Sequence, residues 1–175
     1  MGGGLVLKNK MAVIVAGLGL LLSVLASPGW AADIWLFRHG EKAPGKDPAL
    51  TEAGQARAQR IAGLILRAPS TGDNILLYST DYRRTQETIA PLAEATGVKV
   101  QSYDPADMAQ LAAKIRVLDG TVVVAGHSNT TPELLKHLTG IERDIPEDRF
   151  DVLYHLVPAA QGFILQELSS DTSEH

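Results

Sequence analysis

The chain has no cysteine among its 175 residues. That single absence excludes disulfides, thiolate nucleophiles and thiolate metal sites, and it leaves the redox character of the compartment open. Aromatic residues are scarce at 5%, so a core must rest on Ala, Leu, Ile and Val. Lysine and arginine together number 16 against 20 acidic residues, a formal charge of −4. There is no basic stripe, which makes nucleic acid a poor partner. No repeat or low-complexity tract interrupts the chain beyond its first thirty residues. What is left is the composition of a soluble globular protein, 45% hydrophobic and 21% charged, of a length that suggests one domain.

The first 31 residues read as a secretory leader. Lys8 and Lys10 form a short basic region, Met11 to Ala26 carry no charge, and Gly29 and Ala31 place small residues ahead of a cut after Ala31. The alternative is a retained anchor at residues 11–26, slightly shorter than the ~20 residues of a spanning helix. Membrane contact is expected only through that segment if it stays uncleaved. The expectation is export, to a periplasmic-type compartment. Without Lys8 and Lys10, residues 32–175 hold 14 basic and 20 acidic side chains, a formal −6. A small anionic substrate then requires local convergence of the few arginines.

From residue 33 onward, strand-like and helix-like stretches alternate. Asp33–Arg38 reads as a buried strand. Thr51–Arg67 reads as a helix capped by Thr51, with Ala58, Ile61, Ala62 and Ile65 on its apolar face. Ile75–Ser79 is a second strand, Tyr82–Thr96 a helix kinked at Pro91 and stopped by Gly97. Val98–Tyr103 is a third strand and Pro105–Leu118 a further helix. Thr121–Ala125 is the most β-branched strand. Thr131-Pro132-Glu133 opens a helix, with Thr131 as hydroxyl cap and Pro132 in its first position, and Gly140 closes it. Residues 151–157 and 162–168 pair as a terminal hairpin. The alternation predicts an α/β fold, a three-layer α/β/α sandwich on a mostly parallel central sheet, with the site outside the carboxyl ends of the strands.

Those ends carry unusual residues. Arg38 and His39 follow the first strand, Arg83 and Arg84 stand just beyond the second, and Gly126, His127, Ser128 and Asn129 follow the most β-branched one. Arginine's planar fork matches a phosphoryl group and does not titrate away, and a neutral histidine is a nucleophile toward phosphorus. Gly40 and Gly126, lacking Cβ, leave room for a tetrahedral anion. His127 is read as a charged donor to the same oxygens, and Ser128 and Asn129 as helix-start donors.

The stretches LFRHGEK, LTEAGQARA, YSTDYRRTQET and VVVAGHSNTTPELL, in this order across residues 33–135, resemble the histidine phosphatase superfamily, which includes phosphoglycerate mutases. The resemblance implies a phosphoglycerate mutase-like fold and phosphohistidine chemistry without metal or other cofactor. It implies that His39 becomes phosphorylated, that Arg38 and Arg84 bind the phosphate, Arg84 rather than Arg83, and that His127 completes the pocket. Leu50–Gly54 is implied to be structural. The proton donor to the leaving group is not assigned: Asp104 and Glu41 are the candidates, with Asp107 and Asp81 behind them. His137 and His155 are read as surface or packing histidines. A two-histidine, one-carboxylate metal set of His39, Glu41 and His127 is disfavoured by the adjacent arginines, which repel a divalent cation. The expected activity is phosphomonoester hydrolysis of a small phosphorylated molecule or envelope glycan. A phosphate- or phosphosugar-binding sensor and a phosphomutase are the alternatives.

Overall fold

The computed structural model describes Met1 and residues 31–69 and 74–171. The leader and its alternative as an anchor at 11–26 lie outside the described residues. Ten elements follow in chain order: β1 (Ala31–Arg38), α1 (Glu52–Arg67), β2 (Ile75–Ser79), α2 (Arg83–Thr96), β3 (Val100–Ser102), α3 (Met108–Ile115), β4 (Asp119–Gly126), α4 (Thr130–Thr139), β5 (Val152–Pro158) and β6 (Phe163–Ser169). They form one sheet in the order β3-β2-β4-β1-β5-β6. The first four strands pair in parallel, while the terminal hairpin adds β5 antiparallel to β1 and β6 antiparallel to β5.

Strand alternation sorts the core into two layers. Ile34, Leu36, Val122 and Val124 face one cluster, filled by Met108, Leu111 and Ile115 of α3 and by Leu134, Leu135 and Leu138 of α4. Trp35, Phe37, Val123 and Ala125 face the other, filled by Ile61, Ala62 and Ile65 of α1 and by Ile89 and Leu92 of α2. The sheet is thus covered on both sides, which is why β1 and β4 read as continuous apolar runs. This is the expected α/β/α sandwich.

Helix ends follow local chemistry. The Thr51 hydroxyl accepts from the Gly54 N–H at the start of α1, and Gly97 and Gly140 take left-handed conformations that close α2 and α4. Strands β1 and β4 run longer than expected, and β3 covers only Val100–Ser102 of the expected Val98–Tyr103. The third helix ends at Ile115 rather than Leu118, and two helix starts differ. The third helix begins at Met108 rather than Pro105, because Asp107 caps it by accepting from Gln110 N. The last helix begins at Thr130, with Asn129 at its cap and Pro132 three residues in. Thr131 does not cap it: its hydroxyl donates to Phe37 O and so ties the helix to β1.

His155, read as surface or packing, is a packing residue. It is buried, lies flat on Trp35 at 3.8 Å between ring centroids, and contacts Asp33 Oδ1 through Nε2 at 2.6 Å. Trp35 donates to the other oxygen of the same carboxylate at 3.0 Å. Asp33 thereby joins the hairpin to the central strand. His137 is half-exposed on α4 near Glu133.

Candidate active site

The carboxyl ends of β1, β2 and β4 meet at one edge. His39 extends the β1 ladder by one residue, donating its N–H to Gly126 O at 2.9 Å. Gly40 N then donates to Thr88 Oγ1 of α2 at 3.0 Å, and the same hydroxyl donates to Arg84 O. The segment that carries His39 and the helix turn that carries Arg84 are therefore pinned to each other through Thr88.

His39 is 3% exposed. Its Nδ1 lies 2.8 Å from Gly40 O; a carbonyl only accepts, so the proton sits on Nδ1. Burial, helped by the charges of Arg84, His127 and Arg38 and opposed by the bond to Gly40, brings its pKa down to about 4. The ring is neutral at pH 7, and its lone pair is on Nε2. That is the protonation state a histidine nucleophile needs.

His127 stands edge-on to His39, with centroids 5.5 Å apart. Arg84 Nη2 lies 3.3 Å from its Nδ1, and arginine can only donate, so the His127 proton is on Nε2 and points to Thr80 Oγ1 at 3.1 Å. The chain continues to Thr85 Oγ1 at 2.7 Å and ends on Tyr82 O. Burial first, then Arg84 and Arg38, bring the His127 pKa to about 4. In this state it is therefore a neutral group and not the charged donor expected from sequence.

Both arginines that sequence singles out are here. Arg38 is 3% exposed, with Phe150 under its guanidinium at 4.1 Å. Its Nη1 donates to Pro146 O, Glu147 O and Arg149 O at 2.8–3.0 Å, and its Nη2 to Glu147 Oε2 at 2.9 Å. Arg84 lies over the Tyr82 ring at 4.4 Å, with Asp47 Oδ1 4.0 Å from Nη1. The Nε–H groups of Arg38 and Arg84 are buried and have no partner among the described residues. A buried donor left unmade costs about 1–3 kcal/mol, so two of them beside a neutral imidazole call for an anion. Arg83, by contrast, is exposed and paired with Glu87.

Several expected contributors do other work. The Ser128 hydroxyl donates to Glu147 Oε1. The Glu41 carboxylate is held by Arg57 through Nε and Nη2 at 2.6–3.1 Å, and that bond keeps its pKa below the usual range. A carboxylate so held is a poor proton donor at neutral pH. Asp104 instead lines a cavity of about 680 Å³ with Asp47, Asp81 and Tyr82. Gly40 and Gly126 make room for protein, not for phosphate. A Cβ on Gly40 would lie 2.9 Å from Gly54 O, and one on Gly126 would lie 2.8 Å from Thr131 Oγ1 and 2.9 Å from Thr130 Oγ1.

Sequence reasoning missed Thr80, Thr88, Glu147 and Phe150. The first two lie within or beside recognised stretches, where hydroxyls at strand and helix ends are a usable signal. The last two come from the irregular segment before β5, whose residues show no period. Among the described residues, no group of three or more His, Asp or Glu side chains is placed to hold a metal ion.

The two buried histidines predict an acid-sensitive fold. Each has a folded pKa of about 4 against about 6.5 unfolded. Between those values the unfolded chain binds more protons, so stability present at pH 7 is lost as pH falls through 6.5 toward 4. The slope is at most about 1.4 kcal/mol per pH unit for each histidine. Urea unfolding from pH 7 to pH 5 should show this loss, and the double variant His39→Gln, His127→Gln should flatten it. A wild-type stability constant over that range would refute it.

The model of the histidine phosphatase superfamily, branch 1, matches residues 34–105, a span that holds Arg38, His39 and Arg84 and stops short of His127. No curated protein matches by sequence. The fold is similar to phosphoserine phosphatase from Entamoeba histolytica in complex with 3-phosphoglyceric acid, at 15% identity and TM-score 0.58 over 81% of this chain and 98% of that one. It is also similar to mycobacterial glucosyl-3-phosphoglycerate phosphatase in complex with VO3, at 17% and 0.59 over 81% and 100%. SixA from Agrobacterium tumefaciens matches at 22% and 0.58 over 78% and 97%.

Proposed function

We propose that this chain, whose residues 34–105 match the histidine phosphatase superfamily model, is a member of that superfamily and a phosphomonoesterase that works through a phosphohistidine on His39. One observation carries the reading: a buried imidazole whose Nδ1 proton is committed to Gly40 O, next to two buried arginine Nε–H groups without partners. The Nε2 lone pair of His39 attacks phosphorus, the N–P bond forms, and the P–O bond to the alcohol breaks as the alkoxide takes a proton from solvent water. Arg38 and Arg84 offset the charge on the transferring oxygens. His127, linked to Arg84, gains a proton more readily once a dianion lies beside it. Water then attacks phosphorus, breaks the N–P bond and releases inorganic phosphate. The structural relatives named as phosphatases support hydrolysis over binding alone.

The export reading rests on the leader pattern of residues 1–31. The mature form then starts at Ala32 and keeps the buried stretch Ile34–Phe37, and the mass of the purified protein reports it. A mass that includes residues 11–26 would favour the anchor.

The test is turnover of p-nitrophenyl phosphate with a chelator present, followed by trapping of an acid-labile, base-stable phosphoenzyme. Activity lost in chelator and restored by a divalent metal would overturn the metal-independent mechanism. Tight phosphate binding without turnover of a broad substrate panel would make the chain a sensor instead.

A further inference from the structure

The cavity of about 680 Å³ is lined by Lys46, Asp47, Asp81, Tyr82, Ser102, Tyr103, Asp104 and Pro105. Three of its lining residues touch the histidine site or the strand that carries it. Tyr82 meets His127 edge-on at 5.2 Å between centroids. Asp47 lies 4.0 Å from Arg84 Nη1. The Tyr103 hydroxyl donates to Ala125 O at 3.1 Å, immediately before Gly126 and His127. An alcohol part that extends from a phosphoryl group on His39 past Arg84 and Tyr82 would meet this cavity, whose size is in the range of ligand pockets.

Its charge is the reverse of the phosphate site's. Three carboxylates and one ammonium leave the lining at a formal −2. Asp47 is partly offset, because Arg84 lies near it and Arg83 N donates to it. Asp81 and Asp104 accept only from neutral donors, Ser102 Oγ and Ala106 N, and have no cationic partner among the described residues.

Two poles result: buried arginines for a dianion at one end, the unneutralised carboxylates of Asp81 and Asp104 at the other. We propose that the preferred substrates are phosphomonoesters whose alcohol carries a positive charge, in particular amino-sugar phosphates, and that Asp81 and Asp104 set this preference. The inference rests on the phosphatase reading and names the substrate class of that site. The same carboxylates act against anionic alcohols, since a carboxylate or second phosphate there meets like charge.

Three hexose derivatives phosphorylated at the same carbon separate charge from size. The expected order of kcat/KM is glucosamine 1-phosphate, then glucose 1-phosphate, then glucuronic acid 1-phosphate, with about tenfold or more between the extremes, a difference of about 1.4 kcal/mol. In Asp81→Asn and Asp104→Asn the ratio of the first to the third should shrink several-fold, and 0.5 M salt should compress it in the wild type. p-Nitrophenyl phosphate, which carries no charge beyond its phosphate, fixes the baseline. If it is hydrolysed while the three sugars are turned over equally, or the anionic sugar best, the substrate inference fails and the phosphatase reading stands. If both Asn variants keep the wild-type ratio, the assignment to Asp81 and Asp104 fails. If no phosphomonoester is turned over, the phosphatase reading fails first.

Discussion

His39→Ala is expected to lower turnover by at least about 10⁴-fold, as loss of a covalent nucleophile does in other enzymes, and to abolish the trapped phosphoenzyme. Phosphate affinity should change far less, because the guanidinium groups of Arg38 and Arg84 do not depend on the imidazole for their positions. Arg38 is held by three carbonyls and a carboxylate of the segment before β5. Arg84 is held by Tyr82 and His127. The variant thus separates binding from chemistry: turnover in the stopped assay collapses while a phosphate titration moves by a few-fold. Full turnover in His39→Ala would eliminate the phosphohistidine mechanism. A fall in turnover with the phosphoenzyme still present would place the nucleophile elsewhere.

That test can be designed from sequence because the relevant letters sit where backbone periodicity ends. The alternation in Ile34–Phe37 fixes which side chains enter each core layer, and the first polar residues after it fall at the sheet edge. The Thr51 cap, the Gly97 and Gly140 stops and the terminal hairpin are equally local and were legible for that reason. Contacts between distant segments were not. Thr131 reads as a cap from its neighbours alone, but its hydroxyl is used by Phe37 O, 94 residues away. Glu41 stands two residues from the nucleophile, yet Arg57 of α1 holds it. The pKa of His127 depends on its burial beside Arg84 and Arg38, which only the assembled sheet edge brings about. Glu147 and Phe150 sit in a segment without period, so nothing in the sequence points them at Arg38.

The glycines make the same point with a measurable consequence. Gly54 lies in the first turn of α1, where alanine would ordinarily favour the helix by about 1 kcal/mol. Here a Cβ would stand 2.2 Å from Glu41 O and 3.0 Å from Glu41 N. Both are backbone atoms, and Glu41 O already accepts from Thr51 N at 2.9 Å, so neither can rotate aside. Relief requires the helix start and the segment after β1 to separate by roughly 1 Å, the size of displacement that costs about 10²-fold in rate when it reaches a reacting group. Gly40, one residue from the nucleophile, packs on Gly54 directly. Gly54→Ala should therefore destabilise the fold by about 3 kcal/mol, at the upper end for overpacking, and lower kcat by about 100-fold in whatever fraction stays folded. Gly63→Ala in the same helix is the internal control. Its Cβ would meet only the end of the Arg67 side chain, at 3.1 Å, which can move, so stability should hold or rise by about 1 kcal/mol. Equal effects of the two substitutions in urea unfolding would show that helix propensity, and not the contact between α1 and the His39 segment, governs this part of the chain.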